Sequence, residues 1–296
     1  MLSIVHSFLQ YLPFTRRRNY NGSLTRSNEI PVIHPGNSKA EDVFSKIKES
    51  IAISDFHGYG CVDFVFNSRA CKLVKPNKAA PGNPWLWRAR FWDHQPQVDV
   101  AMLENGFHVA YCDVVELFGN EKSVSIWNDF YDYMRELGLS EKVALHAMSR
   151  GSFYAYNWAL QNGEKVSCLY ADNPILDIKS WPWNKGRGIG SKKDRRLFRN
   201  AFNFKNEQDA LEFRGNPLDR AAEIAALGFP ILHVCGEMDE YVPLEENTIP
   251  FEKIIKREGG SIKVICKPGM GHHPHGLEDP APLIDFILDA TYARGD

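Results

Sequence analysis

The sequence lacks an excess of charge of either sign, because 35 lysines and arginines nearly balance 37 aspartates and glutamates. Without a basic surplus there is no electrostatic footprint for nucleic acid, so no nucleic-acid partner is predicted. The sequence also lacks any apolar run near the roughly 20 residues that a membrane helix needs. Residues 1–13 are mildly apolar but have no basic segment before them, unlike a secretory signal. We therefore expect no membrane partner and a cytoplasmic location, with a periplasmic or secreted location as the alternative.

Cysteines with metal-binding spacing are also missing. The six cysteines are scattered, and none forms a Cys-x-x-Cys pair or a zinc-finger spacing. We interpret them as reduced thiols of the core, although Cys61 and Cys71 could face each other across a hairpin. A structural zinc site is therefore not predicted.

What the chain does contain is an alternation of strand and helix patterns. With 296 residues and 44% hydrophobic composition, it can bury a sizeable core. Residues 61–66 and 70–74 are predicted as an antiparallel hairpin, and from residue 85 onward short apolar strands alternate with helices. This rhythm predicts the α/β class, with a doubly wound, mostly parallel sheet that has helices on both faces and an antiparallel hairpin before it.

Two segments depart from this rhythm. Residues 1–55 are predicted as an N-terminal extension or arm with a helix at 40–51, which leaves residues 56–296 as the α/β domain. Residues 178–227 directly follow a strand and have charged helical patterns. They are predicted as an inserted lid or cap that borders the site, and the alternative is a purely structural cover.

The stretch at residues 143–159 gives the clearest chemical signal. An apolar strand pattern leads into Ala-Met-Ser-Arg-Gly, and a helical pattern follows. A serine on a sharp strand-to-helix turn is the context of the Gly-x-Ser-x-Gly nucleophile elbow, here with Ala147 in place of the first glycine. Such a turn would expose the Ser149 hydroxyl and direct the Arg150 N–H toward an oxyanion. The alternative is that Ser149 is an ordinary helix N-cap.

A serine hydroxyl needs a base and an acid to become a nucleophile, and two later stretches supply candidates. Each is a loop that directly follows an apolar strand pattern. A cluster of histidines could instead bind a metal ion, but no cysteine and no matching carboxylate spacing accompanies it, so no metal is predicted. The candidates are Glu237, Asp239 and Glu240 for the acid, and His272, His273 and His275 for the base.

Together and in this order, the three stretches resemble those of the α/β-hydrolase superfamily over roughly residues 60–292. The resemblance implies that Ser149 is the nucleophile, that Asp239 is the acid of a Gly-x-x-Asp-x-x-Val-Pro loop, and that His272 is the base. His273 is the alternative base. The wider set of motifs resembles a bacterial branch related to acetyl-xylan-esterase and prolyl-oligopeptidase-like domains.

The same resemblance assigns the oxyanion donors to the backbone N–H groups of Arg150 and Ala89. The second of these is expected between Arg88 and Phe91, because the family's His-Gly-Gly signature is replaced here by Trp-Arg-Ala-Arg-Phe.

Four residues are candidates for substrate binding. The two arginines alternate along a predicted strand and should point to the same face, where a guanidinium could orient an acidic substrate group. The alternative is that they pair with Asp113 or Asp172 at the edge of the core. The candidates are Arg88, Arg90, Trp181 and His273.

The sequence thus predicts a serine hydrolase that cleaves a carboxylic ester through a Ser-His-Asp triad and needs no cofactor. A small or carbohydrate-linked acyl ester is the expected substrate. The alternatives are a serine peptidase with the same triad, a non-catalytic binding protein on a hydrolase scaffold, and a histidine-metal enzyme. The oligomeric state is not predicted.

Overall fold

The structure, a computed structural model, describes residues 42–49 and 51–292. Within these residues the chain forms one mixed sheet and eight α-helices. The strands are β1 (Ile51–Phe56), β2 (Tyr59–Phe66), β3 (Arg69–Val74), β4 (Trp85–Arg88), β5 (His108–Cys112), β6 (Val143–Met148), β7 (Val166–Asp172), β8 (Ile231–Gly236) and β9 (Ile262–Lys267). The helices are α1 (Gln97–Glu104), α2 (Glu121–Leu137), α3 (Gly151–Ala159), α4 (Lys192–Phe202), α5 (Glu207–Glu212), α6 (Ala221–Ala226), α7 (Thr248–Arg257) and α8 (Ala281–Tyr292).

The strand order is β1-β2-β3-β5-β4-β6-β7-β8-β9. Strands β1, β2, β3 and β5 pair antiparallel, and all pairs from β5 to β9 are parallel. The chain passes from β4 outward to β5 and then returns to β6 on the other side of β4. This reversal opens a crevice at the carboxyl ends of β4 and β6, which is where ligands bind in open α/β sheets.

Helices cover both faces of the parallel part of the sheet, so its strands are apolar on both sides. Leu86 and Ala144 pack into a cluster with α1 and α8, whereas Trp87 and Leu145 pack into a larger cluster with α2, α3, α6 and α7. Successive residues of one strand therefore pack into two separate cores, one on each face of the sheet. The predicted fold class is confirmed.

The N-terminal prediction fails in part. Residues 42–49 do not form the helix expected at 40–51, but only a short 3₁₀ turn at Val43–Lys46. Strand β1 begins at Ile51 and pairs with β2, so the expected domain boundary after residue 55 falls inside a strand. Val43, Phe44 and Ile47 pack against the main core from this short turn and the extended residue after it, so their burial does not need a longer helix. The rest of the predicted arm, residues 1–41, lies outside the described part of the chain.

The hairpin of β2 and β3 forms as expected, but its two cysteines do not face each other. Cys61 lies opposite Val74, and Cys71 lies opposite Phe64. Cys71 instead pairs across the next strand boundary with Cys112. All six cysteines are free thiols, and Cys266 is exposed rather than in the core.

The insertion at 178–227 folds onto the domain as helices α4 to α6. Its aromatic residues build a third apolar cluster together with residues of the main domain. The insertion thereby forms one wall of the crevice. No helix in the ranges 42–49 and 51–292 combines the length and apolar content that crossing a bilayer requires. The buried aromatic residues of this cluster are Phe118, Phe153, Trp181, Trp183 and Phe198.

Candidate active site

Ser149 sits on a strained turn between β6 and α3. Its φ is +48°, a left-handed conformation that residues other than glycine rarely adopt. Its N–H donates to the carbonyl of Asp172 at 2.8 Å, and its carbonyl accepts from the N–H and hydroxyl of Ser152. These bonds hold the turn against its strain. Gly151 begins α3 beside the loop after β4, and a Cβ there would meet ordinary contacts, the nearest with Cβ of Arg90 at 3.4 Å.

The three residues assigned by resemblance lie together at the carboxyl edge of the sheet. The Ser149 hydroxyl is 3.1 Å from Nε2 of His272, and Nδ1 of His272 is 2.7 Å from Oδ2 of Asp239. Both distances are within the hydrogen-bond range of a nucleophile, its base and an orienting acid. The carboxyl ends of β6, β8 and β9 therefore bring a continuous Ser-His-Asp chain to the crevice.

Asp239 is the acidic residue of the loop after β8 that meets His272. It is buried, and its Oδ1 accepts the N–H groups of Tyr241 and Val242 at 2.9 and 2.8 Å. Oδ2 is left for His272. Of its two competitors, Glu237 accepts the N–H of Gly269 at the surface, and Glu240 is exposed.

Asn173 links the loops that follow β7, β8 and β9, a role that the sequence analysis missed. Its amide Nδ2 donates to the carbonyl of His272 at 2.7 Å, and its Oδ1 accepts the N–H of Gly236 at 2.7 Å. Asn173 is buried and has a φ of +42°. In the sequence, its position directly after an apolar strand and before Pro174 could have indicated a role at the site.

The two predicted oxyanion donors differ in whether their N–H groups already have a hydrogen-bond acceptor. The N–H of Arg150 at the start of α3 meets no acceptor among the described residues. The N–H of Ala89, in contrast, donates to the carbonyl of His146 at 2.9 Å and is not free for an oxyanion. The assignment of Ala89 is therefore wrong. The next two N–H groups, of Arg90 and Phe91, have no acceptor within the described ranges, and Phe91 lines the crevice.

Arg88 does not reach the substrate space, contrary to prediction. It is 1% exposed and forms an ion pair with Asp99 of α1, not with Asp113 or Asp172. Burial disfavours the charged carboxylate, but Arg88 and His146 hold the pKa of Asp99 below its usual range.

The Arg88 guanidinium also donates to the carbonyls of Arg90 and Phe91, at 3.2 and 2.9 Å, and to that of His94. Arg88 therefore holds the loop that follows β4 in place from its buried side. The ion pair and these three bonds use the guanidinium in the interior, which is the physical reason why it is not a substrate ligand.

Arg90 also differs from its prediction. Strand β4 ends at Arg88, so the alternation expected for residues 88 and 90 does not extend to Arg90. The Arg90 guanidinium lies 3.5 Å from Glu116 and packs on the ring of Phe91, and the side chain is 11% exposed. It does not line the crevice.

The crevice itself is a cleft of about 510 Å³ in front of Ser149. Trp181 lines it, as predicted, together with Phe91 and Tyr241. The Arg150 guanidinium lies between the rings of Phe91 and Trp181, at 5.5 and 5.9 Å, and pairs with Asp194 of α4. The cleft thus offers mainly aromatic surface, and its nearest cation is already paired.

The other histidines of the turn also lie at the cleft. His273 lines it with an exposed ring, but that ring makes no hydrogen bond to the loop within the described residues. His275, the third histidine considered for the base, is buried, with Nδ1 at 2.6 Å from Oδ1 of Asp172. His94 from the loop after β4 joins them, and the sequence analysis did not single it out.

In sequence, neither a protein-family model nor a curated protein matches the chain. In structure, it resembles acylaminoacyl peptidase of Pyrococcus horikoshii (18% identity, TM-score 0.53), covering 78% of this chain and 38% of the peptidase. It also resembles acetyl xylan esterase 1 of Thermoanaerobacterium sp. (14%, TM-score 0.54, covering 83% and 89%) and Est1E of Butyrivibrio proteoclasticus (18%, TM-score 0.56, covering 82% and 99%). The chain thus spans about two fifths of the peptidase. These proteins are α/β-hydrolases, and this chain has the α/β-hydrolase fold.

Proposed function

We propose that the protein is a serine hydrolase and, more specifically, an esterase for a small or carbohydrate-linked acyl group. The observation that carries the proposal is the chain of hydrogen bonds from Ser149 through His272 to Asp239 at the mouth of the cleft. The positive φ of Ser149 supports it, because strain of this kind is retained where function requires it.

In the proposed reaction, the Ser149 oxygen attacks the ester carbonyl carbon while Nε2 of His272 takes the hydroxyl proton. Asp239 keeps the hydrogen on Nδ1 and stabilises the imidazolium. The tetrahedral intermediate collapses as the carbon–oxygen bond to the alcohol breaks, and His272 returns the proton to the leaving oxygen. Water then attacks the acyl-enzyme by the same route and releases the acid.

The oxyanion of the intermediate is proposed to accept from the N–H of Arg150 and from one N–H of the loop after β4. Since the Ala89 N–H is bonded to His146, the second donor is Arg90 or Phe91. Arg88 supports this choice by binding the carbonyls of both residues.

The likeness to acetyl xylan esterase 1, which is matched over 89% of its length, supports the choice of an esterase. Aromatic cleft walls from Trp181 and Tyr241 also suit an apolar acyl group or a sugar ring.

Two assays test the proposal. A fluorophosphonate probe should label the wild-type protein and not Ser149→Ala, which separates an active hydrolase from a binding scaffold. Acetyl, feruloyl and methyl esters should then be compared with acylated amino-acid anilides. Ester turnover without anilide turnover is expected. Anilide turnover without ester turnover identifies a peptidase. If the probe does not label the wild-type protein, Ser149 is not the nucleophile.

A further inference from the structure

Three histidines outside the triad converge on the wall of the cleft. His94 follows β4 in the chain, and His273 and His275 follow β9. One ligand-capable nitrogen from each ring lies within 4.8 Å of the other two. The rings are nearly perpendicular in pairs, at 89°, 81° and 82°, with centroids 6.1, 5.9 and 4.8 Å apart. The three ligand-capable nitrogens therefore lie around one small region of the cleft wall.

His275 is the fixed member of the group. Its Nδ1 lies 2.6 Å from Oδ1 of buried Asp172. An ionised carboxylate only accepts, so Nδ1 has the hydrogen and Nε2 presents its lone pair. Asp172 is held in turn by the hydroxyl of Tyr170 and the N–H of Gly276, at 3.0 and 2.7 Å. A carboxylate behind an imidazole is the usual outer partner of a metal-bound histidine.

His94 and His273 are the adjustable members. Both side chains are exposed, and their ring nitrogens make no hydrogen bond within the described residues. Around a tetrahedral zinc ion with Zn–N of about 2.0–2.1 Å, the nitrogens lie about 3.3 Å apart. The exposed rings must therefore close by roughly 1.5 Å, which side-chain rotation supplies.

The two loops that hold the histidines are tied together, which fixes the relative backbone positions from which the three side chains extend. The N–H of His275 donates to Oε1 of Gln95 at 2.7 Å, directly beside His94 in the chain. The carbonyl of His94 accepts from the buried Arg88.

We propose that His94, His273 and His275 bind a divalent transition-metal ion of the zinc type. Neutral imidazoles suit Zn²⁺ and its first-row neighbours, whereas Mg²⁺ and Ca²⁺ prefer oxygen ligands. All three side chains line the cleft, so a fourth coordination position opens into it. No atom of the triad takes part, since His272 is bonded to Ser149 and Asp239. The site therefore does not rest on the proposed esterase activity.

Dialysis of chelator-treated protein against Co²⁺ and against Zn²⁺ tests the site, with metal analysis and visible spectroscopy as the readouts. We expect one ion per chain and the visible d–d bands of a low-coordinate Co²⁺ site. His94→Ala and His273→Ala should each weaken binding by more than the ~10–100-fold that loss of an outer-shell partner causes. His94→Gln provides a second variant that keeps a polar side chain of similar size.

Two controls separate this site from others. His57→Ala removes an exposed histidine that pairs with Asp93 and should bind like the wild-type protein. Ser149→Ala should also bind normally, so failure of the metal site and failure of the esterase are distinguishable. Equal binding by wild-type protein and a His94→Ala/His273→Ala double variant, or no stoichiometric binding by the wild-type protein, overturns the proposal.

Discussion

Gly236, the last residue of β8, lies so close to Gly271 that a Cβ at position 236 would be 2.0 Å from the Gly271 carbonyl oxygen. The carbonyl of Met270 would be 2.6 Å from the same atom. A backbone hydrogen bond of 2.7 Å from Met238 to Met270 adds to this contact. Direct backbone contact therefore joins the loop with Asp239 to the loop with His272, in addition to the side-chain bonds between them.

Gly236→Ala should separate these two loops, because backbone carbonyls cannot yield as a flexible side chain would. We expect kcat/KM for an ester to fall by ~10²-fold, the scale for a catalytic group displaced by about 1 Å. Gly60→Ala is the matched control, since a Cβ there meets only ordinary contacts at 3.7 Å or more. Ester kinetics near wild type for Gly236→Ala would show that the contact does not position His272.

Asp239→Asn should lower turnover strongly with little change in KM. An amide can donate to Nδ1 and leave the hydrogen on the wrong nitrogen, and ~10⁴-fold is the scale for such a change in a comparable triad. Glu237→Gln should have a minor effect, because Glu237 bonds only Gly269 at the surface. A larger loss of kcat in Glu237→Gln than in Asp239→Asn would reassign the acid.

His272→Ala should lose as much turnover as Ser149→Ala, and the double variant should be no worse than either single one. Residues that act as one unit show this non-additivity. The base must be within about 2.6–3.2 Å of the serine hydroxyl, and His272 meets that condition at 3.1 Å. His273→Ala should keep measurable turnover in the same assay. An inactive His273 variant beside an active His272 variant would move the base by one residue.

Arg88→Met should destabilise the protein by about 3–5 kcal/mol, because the buried Asp99 carboxylate loses its guanidinium partner and keeps only His146 beside it. Arg88→Met combined with Asp99→Asn should lose less than the sum of the two single changes, since no buried charge is then uncompensated. Urea unfolding of the wild-type protein, the two single variants and the double variant gives the coupling free energy between Arg88 and Asp99. Unchanged stability with a raised KM would restore Arg88 as a substrate ligand.

His233 should make the fold sensitive to mild acid. Burial lowers the pKa of His233 to about 3. In the interior its ring forms hydrogen bonds with the hydroxyls of Tyr156 and Thr248. The unfolded chain binds a proton below about pH 6.5 and the native state does not, so stability is full above that pH and falls below it. Between about pH 7.5 and about pH 5 this amounts to about 2 kcal/mol.

The His233→Gln variant removes this titration and keeps a hydrogen-bonding side chain. The free energy of unfolding of the wild-type protein should therefore fall by about 2 kcal/mol more than that of the variant over the same pH interval. Urea unfolding at both pH values measures the difference. An identical fall in the two proteins would mean that His233 is protonated in the native state or that the unfolded chain does not titrate normally.

The sequence by itself determined the strand–helix rhythm and the chain order of the three residues of the proposed triad. Ser149, Asp239 and His272 each follow an apolar strand, and parallel strands end at the same edge of a sheet. A local pattern was therefore enough to bring them to one place. The resemblance favoured His272 over His273, and the structure places the His272 ring 3.1 Å from the Ser149 hydroxyl.

Only the tertiary structure decided the partners of the residues at the end of β4 and in the loop after it. Arg88 is held by Asp99 of a later helix, and the Ala89 N–H is taken by His146 of the adjacent strand. His94 meets His275, about 180 positions further along the chain, because the strand order places their two loops side by side. Such pairings depend on which strands become neighbours, and no periodicity within a single segment encodes that.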